Sequence, residues 1–441
     1  MKAIGIDMGT TTISAVVLEI EQKRVLEART IQNRSFLKTK EEWERIQDMS
    51  VILDDVQSVL QELRTLHPDV KSIGITGQMH GIVYVNREGQ CISPLYTWQD
   101  GRGDIPDFAG KSLTELVFEQ TGLKVSTGYG LVTHLYNEKK GLVPEGSVCV
   151  CTVGDYLGAF LTGRKKPVTH VSNAASLGFF DEQRGCFRTE ILEELGMKRS
   201  ILPEVWDTCS MLGTYQGIPV TIALGDNQAS FLGSVGLKEG TLLLNVGTGG
   251  QISLLSGRHF QAPGIEARPY IRGKYLLVGS SLCGGRAYAI LEQFFRSYAM
   301  AAGAQGKPQY EVMAQLARKG REKSDGMVVC TSFYGTRVHP EQRGSITNLS
   351  GENFTPEGLV YGTMKGMAQE LYDMCHTIQE GTGIRVERLV ASGNGVRKNT
   401  VLQEIFQEMF EAKLQMAPYE EEAACGAAMS SVPAASLCHP F

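Results

Sequence analysis

The first 33 residues carry short apolar runs that alternate with polar turns, and this pattern predicts β-strands. Two apolar stretches, 3–7 and 12–20, flank a Gly-Thr turn, and a third strand is predicted over 24–33. Strands joined by such short turns pair with their sequence neighbours. We therefore expect the chain to open with an antiparallel three-stranded meander.

A helical period follows the meander. Apolar residues recur every three or four positions between Glu41 and His67, which predicts one long amphipathic helix ending before Pro68. The residues on its apolar face are Trp43, Ile46, Met49, Leu53, Val56, Leu60 and Leu63. The apolar run 70–76 then predicts a buried strand. Antiparallel strands, a helix and a further strand indicate a mixed sheet covered by helices.

The same order of elements returns in the second half of the chain. A buried strand is predicted over 220–224, and after Gly233 come strands over 241–246 and 251–255. A helix over 355–380, a strand over 385–392 and a helix over 400–410 complete the series. We predict an α/β protein of two domains, 1–234 and 235–441, because 441 residues exceed what one core accommodates.

Charge and composition narrow the class of protein. The net charge is −5 and the pI about 6.0, which disfavours nucleic acid and anionic membrane as partners. No apolar stretch reaches the length of a membrane span, so we expect a cytoplasmic protein. The ten cysteines include no Cys-x-x-Cys pair, which argues against a zinc site or an iron–sulfur cluster.

Two Gly-Thr turns stand about half a chain apart and resemble each other. One follows the strand ending at Asp7 and contains Gly9, Thr10 and Thr11; the other follows Asn245 and contains Thr248 and Gly249. Backbone N–H groups of such turns can hold phosphate oxygens, so the repeat suggests a duplicated phosphate clamp. Asp7 alone could form an Asx turn, but beside phosphate it could hold Mg²⁺ directly or through water.

Two further positions follow apolar strands. Asp226 in Gly225-Asp226-Asn227 could accept a proton from a substrate hydroxyl as general base, or could cap a helix. The segment from Gly393 and Asn394 onward opens a helix, but Lys398 replaces the last glycine of a dinucleotide fingerprint. It could admit a nucleoside to the backbone or be a plain tight turn.

Polar and aromatic residues cluster at Gln78, Met79 and His80 and around Trp98. A hydroxyl-rich ligand needs such donors and acceptors together with an aromatic face for the C–H side of a sugar. A single histidine here would more often be a core residue with its hydrogen bonds satisfied. The cluster as a whole favours a binding role.

Together these segments resemble the FGGY carbohydrate kinases of the actin- and Hsp70-like ATPase superfamily. The matching segments follow one another along nearly the whole chain. They are GIDMGTT at 5–11, GQMHG at 77–81, WQDGR at 98–102, DYLGAFLTG at 155–163, GDNQA at 225–229, NVGTGG at 245–250, SGNGVRKN at 392–399 and EEAACGAA at 421–428.

The resemblance implies two actin-like, ribonuclease H-like ATPase domains around a deep cleft, with sugar held by the first domain and ATP with Mg²⁺ mainly by the second. By resemblance Asp226 is the catalytic base and Asp7 lies near Mg²⁺. The nucleotide contacts would be Gly9, Thr10, Thr11, Thr248, Gly249, Gly284, Gly285, Gly393 and Asn394. The sugar contacts would be Gln78, Met79, His80, Trp98, Asp226 and Asn227. Asp155 also matches, but its position indicates a structural helix cap.

The resemblance predicts an ATP-dependent kinase that phosphorylates a terminal hydroxyl of a ketose. GQMHG is shared by xylulose kinases and sedoheptulose kinases, whereas segments 97–102, 126–130 and 172–180 look more like the sedoheptulose kinases. We therefore expect sedoheptulose 7-phosphate as product, with xylulose or another FGGY substrate as the alternative and a non-kinase ATPase as a more distant one. A homodimer is expected only from the general frequency of two-fold oligomers.

Overall fold

The computed structural model describes residues 1–433 and is mixed α/β. Strands and helices are numbered in chain order. The strands are β1 Lys2–Met8, β2 Thr12–Glu19, β3 Arg24–Gln32, β4 Ile46–Gln47, β5 Ser72–Gly77, β6 Val83–Val85, β7 Leu95–Tyr96, β8 Cys149–Cys151, β9 Val168–His170, β10 Phe180–Asp181, β11 Cys186–Phe187, β12 Glu204–Trp206, β13 Met211–Tyr215, β14 Ile218–Thr221, β15 Leu224–Gly225, β16 Thr241–Val246, β17 Gly250–Ser256, β18 Ile265–Pro269, β19 Tyr275–Ser281, β20 Val328–Cys330, β21 Ser345–Thr347, β22 Arg388–Ser392 and β23 Lys413–Met416.

Helices alternate with these strands, and short 3₁₀ turns occur at Arg102–Asp104 and Arg199–Ile201. The α-helices are α1 Met49–Leu66, α2 Leu113–Thr121, α3 Gly130–Lys139, α4 Val153–Thr162, α5 Val171–Ser176, α6 Thr189–Glu194, α7 Asp226–Ser234, α8 Gly285–Ala301, α9 Tyr310–Lys323, α10 Pro356–Thr382, α11 Asn394–Arg397, α12 Thr400–Phe410 and α13 Glu422–Ser430. Within residues 1–433, none of the helices combines the length and the apolar character needed to cross a bilayer.

The chain divides into two compact units. The first comprises Met1–Gly236, the short segment Arg268–Gly273 and residues 418–433, and the second comprises Leu237–Ala267 and Lys274–Ala417. The predicted cut at residue 234 and the predicted cleft stay predictions.

The main sheets of the two units share one topology. In the first, β1 pairs antiparallel with β2 and β2 with β3, while β5 joins β1 in parallel. In the second, β16 pairs antiparallel with β17 and β17 with β19, while β22 joins β16 in parallel. The antiparallel meander predicted at the start of the chain is confirmed, and each Gly-Thr turn joins the first two strands of its sheet.

The sheet of the first unit packs against α13 through glycines. A Cβ atom added to Gly5 would lie 1.8 Å from the carbonyl oxygen of Ala424, and one added to Gly74 would lie 1.8 Å from that of Ala427. The helix is made of small residues on this side, in the sequence Ala-Ala-Cys-Gly-Ala-Ala. Backbone-to-backbone approach of this kind requires glycine on the strands.

Two predicted elements are wrong in their bounds. The long helix begins at Met49 and not at Glu41, because the Asp48 side chain accepts a hydrogen bond from the Ser50 N–H at 2.9 Å and caps it. Ile46 lies instead in β4, which pairs with β7.

The strand predicted over 220–224 is broken into β14 and β15. Val220 lies opposite Ile73 and Leu224 opposite Thr76, both on β5. The chain advances four residues from Val220 to Leu224, whereas β5 advances only three from Ile73 to Thr76. The extra residue interrupts the ladder at Ile222 and Ala223, as in a β-bulge.

Candidate active site

Three parallel strand ends bring the predicted catalytic residues to one edge of the first sheet. Asp7 on β1 lies opposite Thr76 on β5, and Leu224 on β15 lies opposite Thr76 from the other side. Asp226 follows two residues later as the first residue of α7. Because parallel strands end at the same sheet edge, Asp7 and Asp226 share that edge with the residues after β5.

Burial makes the ionisation of both carboxyls less favourable. It raises the pKa of Asp226 to about 6, against the lowering effect of the Asn227 and Met79 backbone N–H groups and of the Arg268 charge. Burial raises the pKa of Asp7 to about 7, and the negative charges of Asp226 and Glu421 add to the rise. A carboxyl with a pKa near 6 is suited to accept a proton at neutral pH.

The helix-cap reading of Asp226 finds no support. The residue in the capping position of α7 is Gly225, and it makes no side-chain cap. Asp155, in contrast, forms a capping box with Thr152 at the start of α4, so its predicted structural role is confirmed. Its other carboxylate oxygen accepts a hydrogen bond from the Asn173 amide at 3.3 Å.

Asp7 carries the feature expected of a ligand to a hard cation. Its Oδ1 atom is buried and has no hydrogen-bond partner among residues 1–433. A buried carboxylate oxygen without a partner is costly unless a positive group compensates it. Mg²⁺ prefers oxygen ligands and retains water, so one or two carboxylates suffice. Clusters of three or more His, Cys, Asp or Glu side chains suited to a metal do not occur in the described chain. The residues present therefore fit Mg²⁺ held by Asp7 and water.

The first Gly-Thr turn is held from outside by amide side chains. The carbonyl of Gly9 accepts a hydrogen bond from Asn33 Nδ2 at 3.0 Å, and that of Thr11 accepts one from Gln32 Nε2 at 2.6 Å. These two hydrogen bonds engage the carbonyls of Gly9 and Thr11 on the β3 side of the turn.

The first turn is also tied to the predicted sugar contacts. The Thr10 hydroxyl accepts a hydrogen bond from the Trp98 indole N–H at 3.0 Å and donates one to Gln78 Oε1 at 3.3 Å. The Gln78 amide donates in turn to Gln47 Oε1 at 2.8 Å. The structure thus brings Thr10, Gln78 and Trp98 together, and the Trp98 ring remains 47% exposed.

His80 is held in an unusual backbone conformation, with φ at 72°. Its N–H donates to the Ser176 hydroxyl at 3.1 Å, and its Nδ1 lies 2.7 Å from the Ser176 carbonyl oxygen. A carbonyl only accepts, so Nδ1 carries a proton and donates it to this bond. The ring stacks on Tyr129 at a centroid distance of 5.2 Å. Non-glycine residues with positive φ are uncommon, and they cluster at functional sites.

Met79 packs beside Gly225, the residue before Asp226. A Cβ atom on Gly225 would lie 2.8 Å from the Met79 thioether sulfur. Asn227 follows Asp226 in the first turn of α7 and supplies one of the N–H groups that act on its carboxylate. Both residues therefore lie next to Asp226.

The second Gly-Thr turn joins β16 to β17 in the second unit and contacts the first residues of α8. The Gly285 N–H donates to the Gly247 carbonyl at 2.9 Å, and the Arg286 N–H donates to that of Thr248 at 3.0 Å. A Cβ atom on Gly284 would lie 2.3 Å from the Gly249 carbonyl carbon, and one on Gly249 would lie 2.7 Å from the Ser281 carbonyl oxygen. The backbone of Gly284 therefore contacts that of Gly249. Thr248, at the tip of the turn, is exposed.

The third glycine-rich segment packs on the same strand. Gly393 has φ at 87°, and a Cβ atom there would lie 2.6 Å from the Val246 carbonyl oxygen. Asn394 opens α11 immediately afterwards. Since Asn245 lies opposite Ser392 in the parallel ladder, this segment and the second turn follow neighbouring strands of one sheet edge.

Two residues near the carboxyl pair were missed by sequence reasoning. The positive charge of Arg268 lowers the pKa of Asp226, and the negative charge of Glu421 raises the pKa of Asp7. Both residues lie far along the chain from the carboxyl on which they act. The Gln228 amide donates to the Pro269 carbonyl at 2.9 Å, which fixes the segment carrying Arg268 to α7. Glu421 opens the matching segment 421–428 and Arg268 lies in none of the matching segments, but only the fold brings either residue to the site.

Comparison with known proteins gives consistent results for both halves of the chain. Residues 2–233 match the N-terminal domain of the FGGY family of carbohydrate kinases, and residues 242–435 match its C-terminal domain. The chain is 28% identical to the sedoheptulokinase of Mus musculus, over 92% of each chain. It is 26% identical to the glycerol kinase of Enterococcus casseliflavus, over 96% of this chain and 87% of that one.

A solved structure shows the same fold. The xylulose kinase from Rhodospirillum rubrum superimposes with a TM-score of 0.81 at 23% identity, over 98% of this chain and 89% of that one. The predicted α/β fold with two actin-like domains is confirmed by this match.

Proposed function

We propose phosphoryl transfer from ATP to a terminal hydroxyl of a ketose as the reaction of this chain, which belongs to the FGGY family of carbohydrate kinases. Membership makes it a phosphotransferase that acts on a small carbohydrate and uses ATP. The substrate that we favour is sedoheptulose, phosphorylated at its terminal hydroxyl to the 7-phosphate. The sedoheptulokinase likeness and the segments around Trp98 and Tyr129 support that choice.

The observation that carries the proposal is the half-buried Asp226 carboxyl at the shared strand edge, with a pKa near 6. Asp226 accepts the proton of the sugar hydroxyl while that oxygen forms its bond to the γ-phosphorus. The bond from the γ-phosphorus to the bridging oxygen breaks, and ADP leaves with the electron pair. Proton transfer to such a base contributes roughly 10²–10⁴-fold in rate.

The remaining residues bind and orient the substrates. Gln78, His80, Trp98 and Asn227 are proposed to bind the sugar hydroxyls through their amide, imidazole and indole groups. The two Gly-Thr turns are proposed to hold phosphate oxygens, and Gly393 with Asn394 to accept the nucleoside. Positioning and electrostatic stabilisation dominate phosphoryl transfer, so fixed turns matter more than the base alone. Mg²⁺ held by Asp7 would neutralise phosphate charge when bound.

A xylulose kinase activity is the second candidate. The segment GQMHG at 77–81 occurs in that group too, and the xylulose kinase fold matches over nearly the whole chain. The heptulose and pentulose differ in length and hydroxyl stereochemistry, so the loops around Trp98 and Tyr129 are expected to decide between them.

One assay tests the proposal. ADP release is measured over sedoheptulose, xylulose, ribulose, fuculose, gluconate and glycerol, and we expect the highest kcat/KM for sedoheptulose. Asp226→Asn should lower kcat by roughly 10²–10⁴-fold while nucleotide binding persists. Asp54→Asn, at an exposed acid of α1, is the matched control and should leave kcat unchanged.

Each contrary result overturns a different part of the proposal. A higher kcat/KM for xylulose or glycerol would replace the assigned sugar. Near-normal turnover by the Asp226→Asn variant would remove the assigned base.

A further inference from the structure

The short helix α5 contacts two parts of the candidate site. Five of its six residues are buried, and three of these have polar side chains: Ser172, Asn173 and Ser176. Buried polar groups are costly unless they are hydrogen-bonded, so the partners of these side chains show what the helix holds in place. Those partners are the backbone before Asp226 and the residue His80.

The Ser172 hydroxyl holds the residue that precedes Asp226. It accepts a hydrogen bond from the Gly225 N–H at 3.0 Å. The His170 ring takes the hydroxyl proton, because its Nδ1 atom already accepts the Ser172 backbone N–H at 3.2 Å and therefore carries no proton. The hydroxyl thus donates to Nδ1 at 2.8 Å, which leaves its lone pairs for Gly225. Both partners together fix the orientation of the hydroxyl.

Asn173 holds the backbone two residues earlier. Ala223 lies where the ladder to β5 is interrupted, and a buried backbone carbonyl needs a partner. The Asn173 amide donates to this carbonyl at 3.1 Å. The helix therefore holds the chain on both sides of Leu224, directly before Asp226. Bulges beside active sites commonly redirect a side chain, and here α5 fixes the backbone after the bulge.

The last residue of α5 holds His80. The Ser176 hydroxyl accepts the His80 N–H at 3.1 Å and donates to the Asn173 carbonyl at 2.7 Å. The Ser176 carbonyl accepts from His80 Nδ1 at 2.7 Å. One residue thus holds both the backbone and the ring of His80. A non-glycine residue with φ of 72° persists only where its surroundings impose that conformation.

We propose that Ser172 and Ser176 are positioning residues of the phosphoryl transfer, Ser172 for the Asp226 carboxylate and Ser176 for the His80 imidazole. These roles rest on the proposed function, in which Asp226 is the base and His80 binds the sugar. The two serines are four positions apart and lie on one face of α5, so this helix sets the separation between base and sugar contact. A misplacement of about 1 Å can cost roughly 100-fold in rate.

Steady-state kinetics of two alanine variants, with the concentration of sedoheptulose varied, tests the two roles. Ser172→Ala should lower kcat about tenfold, the equivalent of one hydrogen bond, and change the sugar KM by less than about twofold. Ser176→Ala should raise the sugar KM about tenfold and change kcat by less than about twofold. If another sugar gives the highest kcat/KM in the substrate screen, that sugar is the one varied.

Ser256→Ala is the matched control. Ser256 is 1% exposed, as Ser172 is, and its hydroxyl also accepts one backbone N–H and donates once, to the N–H and carbonyl of Arg258 at 3.0 and 2.7 Å. It lies at the end of β17 in the second unit, at the opposite end of that strand from the Gly-Thr turn. The variant should change neither kcat nor the sugar KM.

A double variant separates positioning from a general structural role. In the Asp226→Asn background, Ser172→Ala should not lower the residual kcat further, because Ser172 acts through the carboxylate. Where an alanine variant does not fold, cysteine at the same position is used. Its thiol is only a weak acceptor, so the same pattern should appear with a change of about threefold.

Each contrary result overturns a stated role. Unchanged kcat in Ser172→Ala, an equal loss in the Asp226→Asn background, or a similar loss in Ser256→Ala would overturn the role of Ser172. An unchanged sugar KM in Ser176→Ala would overturn the role of Ser176. Near-normal turnover by Asp226→Asn alone would instead remove the proposed base and with it the role of Ser172, and Ser176→Ala would still test the positioning of His80.

Discussion

At the scale of single residues, the candidate site depends on two carboxyls whose ionisation is made difficult by burial. Asp226 and Asp7 share one sheet edge, and the pKa of each lies above the ordinary range of aspartate. The N–H groups of Met79 and Asn227 and the Arg268 charge keep the pKa of Asp226 below that of Asp7. The two residues are therefore suited to different tasks, one to accept a proton and the other to hold a cation.

The pH dependence of turnover should follow Asp226. The base acts only when ionised, so kcat/KM should fall about tenfold per pH unit below the pKa of about 6 and level off above it. A pH profile of kcat/KM between pH 4.5 and 8 measures this. The residual activity of Asp226→Asn should lack that limb. A profile that stays flat down to pH 4.5 would show that no carboxyl with a raised pKa controls the reaction.

The stability of the protein without Mg²⁺ should depend on Asp7. Its pKa is about 7 in the folded protein and 3.8 ordinarily, so the contribution of its protonated form to stability is lost as pH rises from 3.8 to 7. Asp7→Asn should therefore raise the free energy of unfolding by roughly 1–3 kcal/mol at pH 8 and by little at pH 4. Denaturant unfolding at both pH values measures the difference.

Asp54→Asn, at an exposed carboxyl, serves as the comparison and should show no such pH dependence. The Asp7→Asn variant should also lose activity, since it lacks the proposed cation ligand. Equal stability of wild type and Asp7→Asn at pH 8 would contradict the buried charge.

At the scale of elements, the same hairpin occurs in both units with different chemistry. β1 and β2 enclose a turn preceded by Asp7, whereas β16 and β17 enclose one preceded by Asn245. Only the first copy offers a carboxylate to a cation. The second copy is instead held by the N-terminal residues of α8, through the Gly285 and Arg286 N–H groups.

The glycine positions at which the first sheet contacts α13 should not tolerate a side chain. In Gly74→Ala, the new Cβ would lie 1.8 Å from the Ala427 carbonyl oxygen, so sheet and helix must separate. We expect a loss of about 3 kcal/mol in the free energy of unfolding, at the upper end for overpacking. Gly351→Ala, where nothing lies within 4 Å, should change it by less than about 0.5 kcal/mol. Similar unfolding midpoints for the two variants would contradict the tight packing.

At the scale of the whole molecule, the predicted sugar contacts belong to one compact unit and the second Gly-Thr turn belongs to the other. Gln78→Ala should therefore raise the sugar KM about tenfold, the equivalent of one hydrogen bond, and raise the ATP KM by less, because it removes only one hydrogen bond from Thr10 of the first turn. Gly284→Ala should displace the turn at Gly249, raise the ATP KM and leave sugar binding unchanged. Steady-state kinetics with each substrate varied in turn separates the two effects. Equal effects of one variant on both substrates would contradict this division.

The sequence predicted much of the architecture from local patterns. The three-stranded meander, the repeated Gly-Thr turn and the helix over 400–410 follow from periodicity and glycine placement alone. It was wrong at Glu41, where a helical period continued through residues that form β4 and a loop, because the Asp48 cap outweighs the apolar spacing. It also missed the break at Ile222 and Ala223, because a register shift appears only when the partner strand is present.

The sequence by itself determined the type of most of the elements that it predicted, the two-part α/β organisation and the residues that resemble a carbohydrate kinase, because these depend on neighbours in the chain. Only the tertiary structure decided which of those residues share a sheet edge. It also decided that burial raises the pKa of Asp226 and of Asp7. The charges of Arg268 and Glu421 reach these two carboxyls only in the folded chain. Desolvation, Coulomb interaction and hydrogen-bond direction depend on distances between residues far apart in sequence, and those distances are set by the fold.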